Sequence, residues 1–195
     1  MNYYIADTHF CHAKALSYDD RPWDDIDAME AGMIDRWNRK VGAKDDVYII
    51  GDFCFGHADN WRRILPQLSG RKHLIKGNHD LRKYPDDILA MLAEPPAPLM
   101  FERDSGYKIV MCHYPMISYH NDNDPQTLMF YGHVHKTIES GAVAEAVKAM
   151  KERCSAEGFD YQGNLYNCWC GFFDWAPATL GEVLANADAA ALPLV

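Results

Sequence analysis

The sequence predicts an α/β fold with mixed parallel and antiparallel β-sheets. Short apolar segments typical of strands alternate with amphipathic segments typical of helices along most of the chain. Two later segments, residues 99–102 and 107–112, flank a Ser105-Gly106 turn and are typical of an antiparallel hairpin. The 195 residues contain no internal repeat or low-complexity stretch. We therefore expect one domain spanning residues 1–195.

The elements follow from hydrophobic periodicity and from the glycines, prolines and charges that interrupt it. The predicted strands are short apolar runs that end at a polar residue or glycine, namely residues 3–6, 47–50, 73–76, 99–102, 107–112, 128–131 and 165–173. The predicted helices have apolar side chains near every 3.6 residues, or lie between proline-rich breaks, and cover residues 24–41, 60–68, 85–93, 142–154 and 180–185.

Composition and charge restrict the class of protein. Hydrophobic residues make up 48% and charged residues 24%, which is typical of a globular chain. The net charge of −9 argues against tight binding of long nucleic acid, which depends on neutralising phosphates. No apolar run approaches the ~20 residues of a membrane span, and the N-terminus lacks the pattern of a signal peptide. We expect a cytoplasmic protein with reduced cysteines and no membrane partner; the sequence favours no particular oligomeric state.

Polar clusters follow five of the predicted strands. They are Asp7-Thr8-His9, Gly51-Asp52, Gly77-Asn78-His79-Asp80, His113 and Gly132-His133-Val134-His135. Ligands of open α/β sheets gather at the carboxyl ends of the strands, so we expect these clusters to converge. Side chains two positions apart in an extended chain point to the same side, which favours joint ligation in Asp-x-His and His-x-His.

The donor types in these clusters favour two metal ions. Two carboxylates, one amide oxygen and four imidazoles are too many for one tetrahedral ion and suit two ions that share a carboxylate. Imidazole mixed with carboxylate is typical of sites for Mn, Fe, Co, Ni or Zn rather than Ca. Two divalent ions with two aspartates leave positive charge for a hydroxide and an anionic substrate. The donor set therefore predicts hydrolysis of a phosphate ester.

In order, these motifs resemble the pattern of the calcineurin-like metallophosphoesterases. That pattern is Asp-x-His, Gly-Asp, Gly-Asn-His-(Asp/Glu), His and Gly-His-x-His, and all five elements occur between residues 7 and 135. A small bacterial and phage branch of the family is also similar at Thr8-His9-Phe10-Cys11-His12, Arg21-Pro22-Trp23, Trp37-Asn38 and Gly51-Asp52-Phe53. The resemblance implies a four-layer α/β/β/α sandwich with a dinuclear site at one sheet edge.

The resemblance also implies a role for each matching residue. The first metal would be held by Asp7, His9 and His135. The second would be held by Asn78, His113 and His133, with Asp52 bridging the two. A metal-bound hydroxide would attack phosphorus in line, while His79, oriented by Asp80, would assist the leaving group.

We expect the substrate to be a small or nucleotide-like phosphodiester. Residues 51–56 lack the arginine with which the protein-phosphatase branch binds a monoester dianion. A phosphomonoesterase, including a protein phosphatase, is the alternative enzyme. A catalytically idle binding scaffold is the alternative of another class, although every ligand position is filled. His12 and Arg21 are candidate substrate contacts, whereas the acidic pair Asp19-Asp20 is interpreted as ordinary loop charge.

Overall fold

Eight β-strands form two four-stranded sheets in the computed structural model, which describes residues 1–186 and 188–191. The strands are β1 Asn2–Ile5, β2 Asp46–Ile50, β3 Arg71–Ile75, β4 Leu99–Asp104, β5 Tyr107–Cys112, β6 Thr127–Tyr131, β7 Leu165–Asn167 and β8 Ala178–Thr179. The first sheet has the order β3-β2-β1-β8, and the second has the order β4-β5-β6-β7. Each sheet is parallel except for one antiparallel edge strand, β8 in the first and β4 in the second. The mixed sheets and the hairpin are therefore confirmed.

Within the described residues, six helices and two short 3₁₀ turns lie between or after the strands. The helices are α1 Ala15–Tyr18, α2 Ile26–Lys40, α3 Ala58–Ile64, α4 Asp86–Leu89, α5 Ile138–Ala156 and α6 Leu180–Ala185. The helix α2 begins where the Asp25 carboxylate accepts the N–H of Ala28, which satisfies a donor of the first turn. Over the residues that the structure describes, none of these helices has the length and hydrophobicity needed to cross a membrane.

Alternation of side chains along the strands creates three hydrophobic layers. In β1, Tyr3 and Ile5 pack against α2 and α3, while Tyr4 points to the opposite face, towards the second sheet. In β6, Met129 packs on the outer face of the second sheet with Val147 of α5. The layer order is therefore helix, sheet, sheet, helix, which confirms the four-layer α/β/β/α sandwich.

Two predicted elements are shorter than expected, because backbone groups pair elsewhere. The predicted strand 165–173 ends at Asn167, where the chain crosses from the second sheet to the first. The Cys168 N–H donates to Tyr131 of the second sheet, and the Cys170 N–H donates to Ala6, next to β1. The predicted helix 85–93 is reduced to α4, because the chain returns to the sheet and the Ala93 N–H donates to Lys72 of β3.

Candidate metal centre

The carboxyl ends of β1, β2, β3, β5 and β6 bring the predicted ligands together. The donor atoms form two groups, and within each group they lie within 4.8 Å of one another. The first group is Asp7, His9 and His135. The second group is Asp52, His113 and His133. The first group contains the residues that the resemblance implies for the first metal. The second contains His113 and His133, implied for the second metal, together with Asp52, implied as the bridge.

His135 contacts both other members of the first group, and the Asp19 carboxylate orients its ring. Its Nε2 lies 3.6 Å from Asp7 Oδ1 and 3.3 Å from His9 Nε2. Its Nδ1 lies 2.6 Å from Asp19 Oδ1. An ionised carboxylate can only accept a hydrogen bond, so Nδ1 is the nitrogen that donates its proton. In the neutral ring, Nε2 is then the nitrogen with the free lone pair, and it faces the group, as a metal ligand requires.

Asp52 lies between the two groups. Its Oδ2 is 3.5 Å from His113 Nε2 in the second group and 3.7 Å from His9 Nε2 in the first. His113 donates from Nδ1 to the Ile50 carbonyl oxygen at 3.0 Å, so its Nε2 also faces the site. That Nε2 lies 3.0 Å from Asn78 Oδ1, which brings the predicted amide ligand into the second group. The position of Asp52 fits a bridging carboxylate.

Buried charges shift the pKa values of these side chains strongly. Burial lowers the pKa of His113 and His135, but the carboxylates of Asp52, Asp7 and Asp19 outweigh it and raise both values to about 9. At His9, burial dominates over the same kind of neighbours and lowers the pKa to about 4. Burial raises the pKa of Asp52, but its interactions with His113 prevail and lower it to about 2. Positive charge next to these buried carboxylates therefore stabilises their ionised form.

The donor set fits two cations at this site. The Nε2 atoms of His9 and His135 face each other at 3.3 Å with the Asp7 carboxylate beside them. The other ring nitrogen of His9, Nδ1, is buried and has no hydrogen-bond partner among the described residues. A buried cluster of carboxylates and imidazoles is costly without cations or protons to compensate it. Imidazole and carboxylate donors suit a first-row transition metal.

Five of the seven predicted ligands have a strained backbone. Their φ angles are positive, a region that side chains other than glycine seldom adopt: Asp7 57°, His9 47°, Asp52 51°, His133 72° and His135 45°. Each such residue costs on the order of 1 kcal/mol, so the surrounding structure must hold it there. Strain of this kind clusters at functional sites, and here it coincides with the predicted ligands.

Two glycines of the motifs allow close approach to the carboxylates. A Cβ on Gly77 would overlap Asp52 Oδ1, and a Cβ on Gly132 would lie 2.6 Å from Asp7 Oδ2. Neither glycine has a positive φ. They are needed for space rather than for backbone freedom.

The side chains of His79 and Asp80 lie in different surroundings, one exposed and the other buried. The His79 ring is exposed at the mouth of the site, 5.6 Å from the His9 ring, and its backbone N–H donates to Asp52 Oδ1. The expectation that Asp80 orients His79 is wrong. The buried Asp80 carboxylate accepts backbone N–H groups of Asp52, Phe53 and Gly77, so it ties together the loops after β2 and β3. Burial raises the pKa of Asp80 to about 6, although those N–H groups act in the opposite direction.

The expectation that Arg21 contacts the substrate is also wrong. Its side chain is 0% exposed. It donates to the carbonyl oxygens of Asp7 and Thr8 at 3.1 and 2.6 Å and to the Asp19 carboxylate at 2.7 Å. Arg21 and Asp19 therefore form a buried ion pair behind the first group, a role that the interpretation of Asp19 as loop charge missed. Only the spacing Asp19-x-Arg21 near the first motif could have indicated it.

His12 lies where a substrate contact was predicted. Its ring centroid is 5.3 Å from that of His9 and 6.2 Å from that of His79, at the mouth of the site. The ring stacks on Phe55 at 4.1 Å, and burial lowers its pKa. A contact between His12 and substrate stays a prediction.

The five ordered motifs, the four layers and the paired donor groups define a class of protein. In these features the chain resembles the calcineurin-like metallophosphoesterases. No family model matches it. It is 33% identical over 135 residues, 68% of each chain, to the uncharacterized protein MJ1445 of Methanocaldococcus jannaschii.

Two further comparisons cover more of the chain. The Gene 66 protein of Mycobacterium phage L5 is 24% identical over an alignment of 165 residues, and the match covers 70% of this chain and 78% of the phage protein. The solved structure of AQ665, a protein of unknown function from Aquifex aeolicus, is 22% identical and has a TM-score of 0.64. The match covers 94% of this chain and 97% of AQ665, so the two share a fold.

Proposed function

We propose that this protein is a metal-dependent phosphoesterase that acts on small phosphodiesters. The main support for this proposal is the position of Asp52 Oδ2, which lies within 3.7 Å of an imidazole Nε2 from each donor group. Two divalent cations at these groups would supply the positive charge that binds a phosphoryl group and activates water. The metals named by the donor chemistry are Mn, Fe, Co, Ni and Zn.

The chain's own residues would orient the reactants. The Ile50 carbonyl and the Asp19 carboxylate fix the rings of His113 and His135, so that both Nε2 atoms face the site. The His79 ring stands at the exposed side of the same site, 5.6 Å from the His9 ring. From there it can donate a proton to the leaving oxygen or hold it by a hydrogen bond.

The charges around the site favour a diester over a monoester. A monoester dianion is usually bound by an arginine fork, and Arg21 is committed to internal hydrogen bonds. The loop 51–56 contains no lysine or arginine. A net charge of −9 also repels a dianion more than a monoanion and disfavours long nucleic acid. A small, singly charged diester fits these conditions.

The test is a matrix of metals and substrates. Protein stripped with a chelator is reconstituted with each metal and assayed with bis(p-nitrophenyl) phosphate and with p-nitrophenyl phosphate, which share a leaving group. We expect no turnover in the stripped protein and a higher kcat/KM for the diester after reconstitution. A higher value for the monoester would favour a phosphomonoesterase. Binding of metals without turnover of either ester would favour an idle scaffold.

A further inference from the structure

A wall of four rings borders the first donor group. Tyr18 and His12 are 5.6 Å apart between ring centroids, and His12 stacks on Phe55 at 4.1 Å with an interplanar angle of 10°. The His79 ring follows, 5.9 Å from Phe55. The ring of His9 lies 5.3 to 6.3 Å from the rings of His12, His79 and Tyr18. This ring wall, defined by Tyr18, His12, Phe55 and His79, therefore stands beside the predicted position of the phosphoryl group.

The ring wall exposes apolar surface at a polar site. Tyr18 is 51% and Phe55 39% exposed. Across residues 1–186 and 188–191, seven large hydrophobic side chains are exposed, and these are two of them. A third, Tyr114, is 47% exposed and lies 4.7 Å from His133 of the second group. Exposed apolar side chains gathered around a polar site indicate a surface for ligand binding.

Contacts with the protein hold these rings in place. The Tyr18 hydroxyl lies 3.1 Å from His12 Nδ1, within hydrogen-bond distance. The Phe55 backbone N–H donates to the Phe10 carbonyl at 2.8 Å, and its own carbonyl accepts from Asn60 Nδ2 at 2.9 Å. A ring on an anchored backbone loses little conformational freedom when it stacks on a ligand.

We propose that the ring wall binds a planar ring on one ester arm of the substrate, a nucleobase or an aryl group. The inference rests on the proposed phosphodiesterase function. Between ring centroids, His9 of the first donor group lies 6.3 Å from Tyr18 and 5.3 Å from His12, which stacks on Phe55. With the phosphoryl group at the donor groups, an ester arm on this side therefore reaches the ring wall. Aromatic rings stack on any nucleobase, because each base presents a π-face, and this contact is tolerant of sequence.

The experiment uses three diesters that share a p-nitrophenolate leaving group and differ in the other arm: methyl, phenyl and thymidine. For the metal-loaded protein we expect kcat/KM for the phenyl and thymidine diesters to exceed that for the methyl diester about 10-fold. Phe55→Ala should remove this advantage, so that the three diesters have similar kcat/KM values, whereas Phe55→Trp should keep it. A thymidine value above the phenyl value assigns a nucleobase, and the reverse assigns an aryl arm.

The matched control is Phe159→Ala. Phe159 is 70% exposed and lies beyond the C-terminal end of α5, far along the chain from the motifs. It should leave all three kcat/KM values unchanged. Equal kcat/KM values for the three diesters, or an equal loss for all of them in Phe55→Ala, would overturn the inference.

A binding measurement separates this inference from the proposed function. If no diester is hydrolysed with any metal, the phosphodiesterase proposal fails. Calorimetry then compares thymidine 5′-phosphate with methyl phosphate on the metal-loaded protein. We expect about 10-fold tighter binding of the thymidine compound, lost in Phe55→Ala. Equal affinities would overturn the ring-binding inference.

Discussion

The two donor groups of the candidate metal centre are built differently. In the first, Asp7 is 0% and His9 3% exposed, and a buried carboxylate supports His135 from behind. In the second, Asn78 is exposed and His133 is half-buried, and the supporting acceptor of His113 is a backbone carbonyl, that of Ile50.

The two groups therefore keep their geometry through different supporting contacts. The first relies on the Asp19–Arg21 ion pair, whose arginine also holds the carbonyl groups of Asp7 and Thr8. A carboxylate behind a histidine raises the basicity of the ligating nitrogen more than a neutral carbonyl does. We therefore expect the first group to bind its metal more tightly than the second.

Replacing the residue that the groups share should have the largest effect. Asp52→Ala removes a carboxylate oxygen that lies within 3.7 Å of both His9 and His113. Both metal affinities should fall by more than the ~10–100-fold that loss of a supporting residue costs. Elemental analysis after dialysis measures this, with exposed Asp20→Asn as the control. Full occupancy of both metals in Asp52→Ala would disprove the bridge.

Removing His79 tests a group that stands outside both metal sets. His79→Ala should keep both metals and lose ~10²–10⁴-fold in rate for diesters with poor leaving groups. Esters of p-nitrophenolate should lose less, because that leaving group needs little protonation. The exposed His57 provides the control variant, His57→Ala. Equal losses for both leaving groups would contradict the proton-donor role, and loss of metal would make His79 a ligand.

Removing the buried carboxylate should distinguish the two groups directly. Asp19→Asn keeps a hydrogen-bond acceptor near His135 Nδ1 but loses its charge. We expect the first metal to bind ~10–100-fold more weakly, while the second is unaffected. Calorimetric titration of stripped protein resolves the two steps, and Asp20→Asn, one residue away and exposed, should change neither. Equal weakening of both steps would mean that the ion pair merely supports the fold.

Each group contains one histidine with a raised pKa, and a pH titration tests both together. We expect this to be the smallest of the four effects. The pKa of His113 and of His135 is about 9 in the folded, metal-free protein, above the usual ~6.5. Their protonation therefore stabilises the stripped protein fully below pH ~6.5, and this contribution is lost as the pH rises through about 9.

The free energy of unfolding of stripped protein should thus fall between pH ~6.5 and ~9.5, by on the order of a few kcal/mol. Urea denaturation at a series of pH values measures it. Protein loaded with metals should show a smaller decrease, because cations then take the place of the protons. A constant value in the stripped protein would contradict the charge pairing described above.

Much of the fold could be predicted because its signals are local. Apolar runs that end at Asp7, Gly51 and Gly77 locate β1, β2 and β3, and the Ser105-Gly106 turn locates the hairpin. The predicted strand 165–173 failed because its continuation depends on Tyr131 and Ala6, which lie far away in sequence. Helix 85–93 failed for the same reason, at its contact with Lys72.

The sequence by itself determined the donor types, their order and their convergence at strand ends, because short segments contain both the donor residues and the residues that end each strand. The tertiary structure alone decided which acceptor each side chain meets. Asp19 contacts His135 across 116 positions, Asp80 binds backbone amides instead of His79, and Arg21 is buried beneath the first motif. Hydrogen bonds of this kind depend on how loops that are distant in sequence pack against one another, and no local sequence pattern determines that packing.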